Sequence, residues 1–225
     1  MKEENILRDA DIREQLFDYL EETFGKIRIL EEKMIARSRA DVVMVMEGAV
    51  VGIEIKSDAD TYARLARQVK DYDLYYDYNY VVVGSSHGNH IEEHVPEHWG
   101  IVTVERADGA PVVGEQPGSG RLDFYMLRSA KVNTLQKPLW KLSLLWRPEL
   151  AHVQELNHMP KYERKSKQFV LEKIIDMVPG ELLKEQISNE LFERDYNNIA
   201  DKINEYRESH GMKKRRRKRK RRLLK

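Results

Sequence analysis

Two apolar runs rich in β-branched residues, Ala40–Met46 and Ala49–Ser57, are separated only by Glu47-Gly48. That spacing dictates a β-hairpin, in which Gly48 supplies a turn residue free of the Cβ penalty. With a two-residue turn, paired positions sum to 95, and Asp41 falls opposite Glu54. Directly opposed side chains on one face sit roughly 5 Å apart at Cβ, so these two carboxylates repel. Lys56 follows Glu54 by two and shares its face, whereas Ile55 points the other way. Val43, Val45, Val50 and Gly52 lie on the carboxylate face; Val42, Met44, Met46, Val51, Ile53 and Ile55 form the opposite one. Both faces are mainly apolar, so the hairpin is expected to be covered on both sides.

A divalent hard cation accounts for two carboxylates and a lysine at one end of such a sheet. Mg2+ takes oxygen ligands, typically one or two protein carboxylates, with waters and substrate phosphate completing the shell. Bound between Asp41 and Glu54, it would relieve their repulsion and activate a water. Lys56 could orient that water or stabilise the developing negative charge. The Glu-x-Lys triplet alone is weak, because a charged strand end produces it by chance; Asp41 in register across a hairpin makes it more specific.

Arg39-Ala40-Asp41, then Glu54-Ile55-Lys56, then Gln68 on a following helix, resembles the PD-(D/E)XK nuclease superfamily. Within it, Glu54-Ile55-Lys56-Ser57-Asp58 with Asp60-Thr61, followed by Arg67-Gln68 and Tyr72, is similar to a group of largely uncharacterised bacterial and phage proteins. The resemblance runs from Ile27 to Glu105 and, more loosely, beyond Trp140. It implies a restriction-endonuclease-like core, an α/β fold with a mixed central sheet flanked by helices. It also implies Asp41 and Glu54 as metal ligands, Lys56 as the catalytic lysine, and Gln68 lining the site. The family's upstream acidic residue falls on Glu32 or, second, on Glu31. The proline of the family's name is Ala40 here. The function so implied is Mg2+- or Mn2+-dependent hydrolysis of DNA phosphodiesters, a metal-dependent endodeoxyribonuclease.

The rest of the chain accommodates this reading. The 225 residues suffice for one medium domain with a real core. Forty-one per cent hydrophobic residues with 34% charged is a water-soluble balance, and no apolar run is long enough to span a membrane. The absence of cysteine excludes disulfides and thiolate metal sites and is compatible with a reducing cytoplasm, that of a bacterium or a phage-infected host. DNA is the expected partner, with a homodimer as a compatible assembly.

Asp11 with Glu14 reads as a helix start, and Ile12, Leu16, Leu20 and Phe24 recur at four-residue intervals up to a Gly25 stop. Ile27–Ile35 reads as a first strand. Asp58 and Asp60 read as caps before a helix from Thr61 to Tyr76, on which Arg64 and Gln68 share a face. Arg39 and Arg64 are the expected phosphate contacts of the core. Tyr80–Gly84 and Ile101–Val104 read as further strands, and the helix between Ser57 and Tyr80 makes a right-handed parallel crossover. His87, His90, His94 and His98 have spacings that invite a zinc site, but Pro96 interrupts the run. Residues 106–122, rich in Gly and Pro, read as a loop or irregular hairpin.

Domain boundaries are expected at a nuclease-like core of 1–136, a C-terminal helical subdomain of 137–210 and a disordered basic tail of 211–225. In the subdomain, Ser166 caps a helix and Pro179-Gly180 breaks it before a second. That pair resembles a helix-turn-helix, with a lid packed on the core as the plainer reading. The charge is split: eleven of the 39 Lys and Arg fall in 211–225, which holds no acid, so residues 1–210 carry 28 basic against 38 acidic residues, a net of −10. Lys213, Lys214, Arg215, Arg216 and Arg217 open a run of ten cations suited to phosphate contact. The alternatives to a nuclease are a nucleic-acid-binding relative that keeps the fold without turnover, and a phage-type interaction protein that uses the tail as an arm.

Overall fold

The computed structural model describes residues 6–84, 88, 90–107 and 120–194. Helix α1 (Asp9–Phe24) precedes a hairpin ladder of β1 (Arg28–Ile35), β2 (Ser38–Met46) and β3 (Ala49–Lys56). Helix α2 (Leu65–Tyr75), entered through the 3-10 turn Tyr62–Arg64, leads to β4 (Tyr78–Gly84). Strands β5 (Gly100–Arg106) and β6 (Leu122–Arg128) follow, and then α3 (Pro138–Leu142), α4 (Arg147–Leu156), α5 (Lys167–Met177) and α6 (Gly180–Phe192).

The strands form one sheet in sequential order β1 to β6. β1–β2, β2–β3 and β5–β6 are antiparallel; β3–β4 and β4–β5 are parallel. The sheet is therefore mixed, and the crossover expected through α2 is parallel. The hairpin register sums to 95 from Met46↔Ala49 to Val42↔Ile53. Gly48 takes φ 69 in the turn, a left-handed value that glycine adopts without penalty.

Each face of the hairpin meets its own layer. Val42, Met44, Val51, Ile53 and Ile55 pack with Ile12, Leu16 and Leu20 of α1. Val43, Val45 and Val50 join Leu65, Val69 and Tyr72 of α2 with Val170, Ile174, Leu183 and Ile187 of α5 and α6. All eight residues of β3 are buried as a result, which fits a strand covered on both sides. Helices α5 and α6 thus close the sheet as a lid rather than standing apart, and Ser188 Oγ accepts the Gly48 amide at 3.1 Å to hold the hairpin turn. The helical segment expected from 137 onward shares this core as far as Arg194.

Three local expectations are corrected. Helix α1 begins at Asp9, not Asp11: Asp11 occupies its third position and accepts the Arg8 amide at 2.9 Å. Neither aspartate before α2 caps it. Asp58 accepts the Leu7 amide at 3.1 Å, pinning the N-terminal segment, and Asp60 accepts from Ser57 N and Oγ at 3.0 and 2.6 Å. A sixth strand follows directly on the region read as a loop. Leu122, Phe124 and Met126 alternate onto the α1 side, a period-2 signal that the Gly/Pro-rich stretch before it obscured.

Candidate active site

The end of β3 where it runs beside β4 carries Glu54 and Lys56, and a cleft of about 340 Å3 opens over them. Glu54 is only 1% exposed and Lys56 3%, so an ion pair lies at the floor, with Lys56 Nζ 2.6 Å from Glu54 Oε1. Burying two charges is tolerated only with further hydrogen bonds, and α2 supplies them. Gln68 Oε1 accepts from Lys56 Nζ at 3.1 Å while its Nε2 donates to Glu54 Oε1. One turn on, the Tyr72 hydroxyl donates to Glu54 Oε2 at 2.6 Å. Gln68 and Tyr72 occupy one helix face because they lie four residues apart.

Asp41 joins by a route that alternation does not describe. The ladder between β2 and β3 ends at Val42↔Ile53, one position short of Asp41 and Glu54. There Asp41 Oδ2 accepts the Ile55 amide at 3.0 Å, taking the place of a backbone carbonyl, while its own amide donates to Tyr72 Oη at 3.2 Å. Asp41 and Glu54 both line the cleft. Burial first, and then the charge of Glu54, push the Asp41 carboxyl up to about 7, against the pull of the Ile55 amide and Lys56. Burial likewise drives the Tyr72 hydroxyl well above its ordinary value, with the Glu54 charge adding to it, so it stays a donor.

The upstream glutamate does not reach this cluster. Glu32 takes φ 51, which breaks the strand's alternation, and its half-exposed carboxylate lies 3.3 Å from Arg39 Nη1. Glu31 lies 3.3 Å from Arg13 Nη1, and neither glutamate is part of the cleft wall. Two further acids line the cleft, Asp60 and, from the first turn of α1, Asp9. Its Oδ2 is 2.7 Å from Arg13, and its Oδ1 is buried without a hydrogen-bond partner among the described residues. The misplaced helix start concealed it from the sequence reading. In the sequence Tyr72 figures only in the resemblance pattern; its hydroxyl contacts emerge once α2 packs on the sheet.

Arg39 and Arg64 line the cleft, joined by Arg37 and Arg67. The histidines go to separate partners. His98 Nε2 is 2.9 Å from Asp73 Oδ1, His94 stacks on Tyr62 at 4.1 Å, and His90 lies 3.5 Å from Glu93. Among the described residues no group of three or more His, Cys, Asp or Glu side chains is arranged to hold a metal ion. His87 and Lys213–Arg217 lie outside the described residues. No helix among the described residues is long and apolar enough to cross a membrane.

Fold and cleft together define an α/β protein with a mixed six-stranded sheet, at whose central strand end an acid–lysine–glutamine cluster is gathered under arginines. Residues 2–212 match the family described as Bacteriophage P4 protein cII, and the chain belongs to that phage-associated family. No curated protein and no solved structure matches it.

Proposed function

We propose that this protein is a metal-dependent nuclease of the PD-(D/E)XK kind, hydrolysing DNA phosphodiesters in the cytoplasm of a phage host. The observation that carries the reading is the convergence of Asp41, Glu54, Lys56 and Gln68 in one cleft, four residues drawn from β2, β3 and α2. The hairpin followed by a parallel crossover supports a restriction-endonuclease-like core.

The donor set fits a hard cation. Asp41 and Glu54 offer carboxylate oxygens, the number Mg2+ commonly takes from protein, and Asp9 Oδ1 is a buried acceptor with no partner among the described residues. Burial first, and then the charge of Glu54, hold the Asp41 carboxyl up to about 7, and a cation between the two carboxylates would offset that repulsion. A bound Mg2+ or Mn2+ would neutralise a phosphoryl oxygen and lower the pKa of a water.

The chain's own groups do the rest. Glu54 and Gln68 hold Lys56 Nζ in place, so its ammonium is fixed before substrate arrives. From there it can donate to a nucleophilic water or to the negative charge that develops on the phosphate. Tyr72 keeps Glu54 oriented from below. The arginines at the cleft mouth can engage neighbouring phosphates, and always-charged forked donors suit that task.

The test is a cleavage assay on supercoiled, linear and single-stranded DNA with Mg2+, Mn2+ or EDTA. The expected result is metal-dependent cleavage by the wild type, lost in Asp41→Asn and in Lys56→Met with both variants folded. Equal cleavage by folded Asp41→Asn would refute the reading.

A further inference from the structure

We infer, resting on the metal reading of this cleft, that Arg13 of α1 is a positioning residue for Asp41. Its forked guanidinium takes the place of a missing strand partner and sets the Asp41 carboxylate where a divalent cation can use it. Asp41 sits at a gap in the sheet. The ladder with β3 ends at Val42↔Ile53, and the ladder with β1 passes from Glu31↔Val42 to Lys33↔Ala40 without it. Glu32, the β1 residue at that level, has φ 51 and leaves regular strand geometry. Both main-chain groups of Asp41 are met by side chains instead. Its amide donates to Tyr72 Oη at 3.2 Å, and its carbonyl accepts from Arg13 Nη1 at 3.0 Å.

Arg13 is itself held from three elements. Nη2 lies 2.7 Å from Asp9 Oδ2, one turn back on α1, and Nη1 lies 3.3 Å from Glu31 Oε2 on β1. Its side chain is only 15% exposed, so little water competes for these bonds. A charged donor on a peptide carbonyl bonds more strongly than a neutral one. The fork matters as well, because one rigid planar group supplies both nitrogens in fixed geometry, which a lysine ammonium does not. Ile12, Leu16 and Leu20 anchor α1 on one face of the hairpin, while Tyr72 belongs to the layer on the other. The Asp41 peptide is thus clamped from both helical layers. Removing a group that orients a metal ligand typically costs about 10–100-fold in metal affinity. Acting only as a charge, Arg13 would do the reverse, because a guanidinium repels a cation and its loss would tighten metal binding. The two roles therefore differ in sign.

Mn2+ binding to the full chain without DNA reads that sign. Mn2+ is titrated into wild type, Arg13→Met and Arg13→Lys, with free ion followed by electron paramagnetic resonance and folding checked by circular dichroism. Arg13→Met keeps the stem and removes the donors; Arg13→Lys keeps the charge and removes the fork. Both are expected to bind Mn2+ about tenfold more weakly than wild type. Their cleavage of DNA should return as Mn2+ is raised, which a merely structural defect would not allow. Tighter or unchanged binding in folded Arg13→Met would overturn the positioning role. Wild-type affinity in Arg13→Lys would overturn it too, and that variant decides the matter if the methionine variant does not fold. A wild type that binds Mn2+ but cuts no DNA, with both variants weakened as expected, would uphold the inference while sinking the nuclease reading.

Discussion

Tyr72 and Glu54 are locked together across the α2–β3 interface: the phenolic hydroxyl donates to Glu54 Oε2 at 2.6 Å from a ring that is fully buried. Tyr72 Oη also accepts the Asp41 amide at 3.2 Å, so one side chain positions both candidate metal ligands. Gly52 makes room for this arrangement. A Cβ there would lie 2.7 Å from the Tyr72 ring and 2.2 Å from Tyr76.

Tyr72→Phe keeps the packed ring and removes only the hydroxyl. A buried carboxylate then loses a donor and the Asp41 amide loses its acceptor, each costing about 1–3 kcal/mol. Urea unfolding should show a loss of that order, with cleavage also reduced. A variant as stable as wild type would mean that water replaces the hydroxyl.

Glu54 and Lys56 form a pair in which removing either member is destabilising. The sequence alone suggests that deleting a carboxylate relieves repulsion and leaves the fold unharmed. The buried hydrogen bonds from Lys56, Gln68 and Tyr72 reverse that expectation for Glu54. Glu54→Ala should cost about 3–5 kcal/mol, because it strands a buried ammonium. Glu54→Gln with Lys56→Met, which removes both charges, should recover most of it. Full stability of Glu54→Ala in a denaturant melt would show the pair to be hydrated.

Asp41 should behave in the opposite way, and pH reveals it. Its carboxyl titrates at about 7 when folded, above the ordinary aspartate value of 3.8. The folded state therefore binds the proton more tightly, and this contribution to stability, complete below pH 4, is lost as the pH rises to 7. Asp41→Asn keeps an oxygen for the Ile55 amide and abolishes the ionisation. Its melting temperature relative to wild type should rise between pH 5 and pH 8 without metal, and Mg2+ should stabilise only the wild type at pH 8. A difference that does not change with pH would contradict the assigned titration.

The tail should act on binding and not on turnover. A body carrying a net −10 repels DNA, whereas ten adjacent cations release counterions from phosphate. Deleting 211–225 should flatten the log-affinity against log-salt slope by about 0.9 per lost duplex phosphate contact, while cleavage at saturating substrate survives. Equal slopes for both proteins would exclude the anchoring role, and higher activity at low salt would point to a tail that blocks its own site.

Much of the fold was legible because the hairpin's period-2 pattern and two-residue turn admit one register, and all five pairs from Met46 to Val42 obey it. The helix spacing likewise placed Gln68 over the strand end. What escaped was set by departures from periodicity. The ladder stops before Asp41, and the left-handed Glu32 turns both upstream glutamates out of the cleft. No alternation rule contains either event. Asp9 was hidden by a capping pattern two residues away, which Asp11 satisfies from inside the helix. The Tyr72 contact required knowing which face of α2 meets β3, a fact of tertiary packing.

The hydrogen bond from the Ile55 amide to Asp41 Oδ2 turns the backbone of β3 into a sensor. That amide proton points at an oxygen whose charge changes when a proton or a cation arrives. In an amide-resolved spectrum its resonance should move with the ionisation of a side chain fourteen residues away in sequence. Its solvent exchange should slow when the carboxylate is fixed by a ligand. The occupancy of the cleft could thus be followed from a main-chain signal, with no substrate and no turnover.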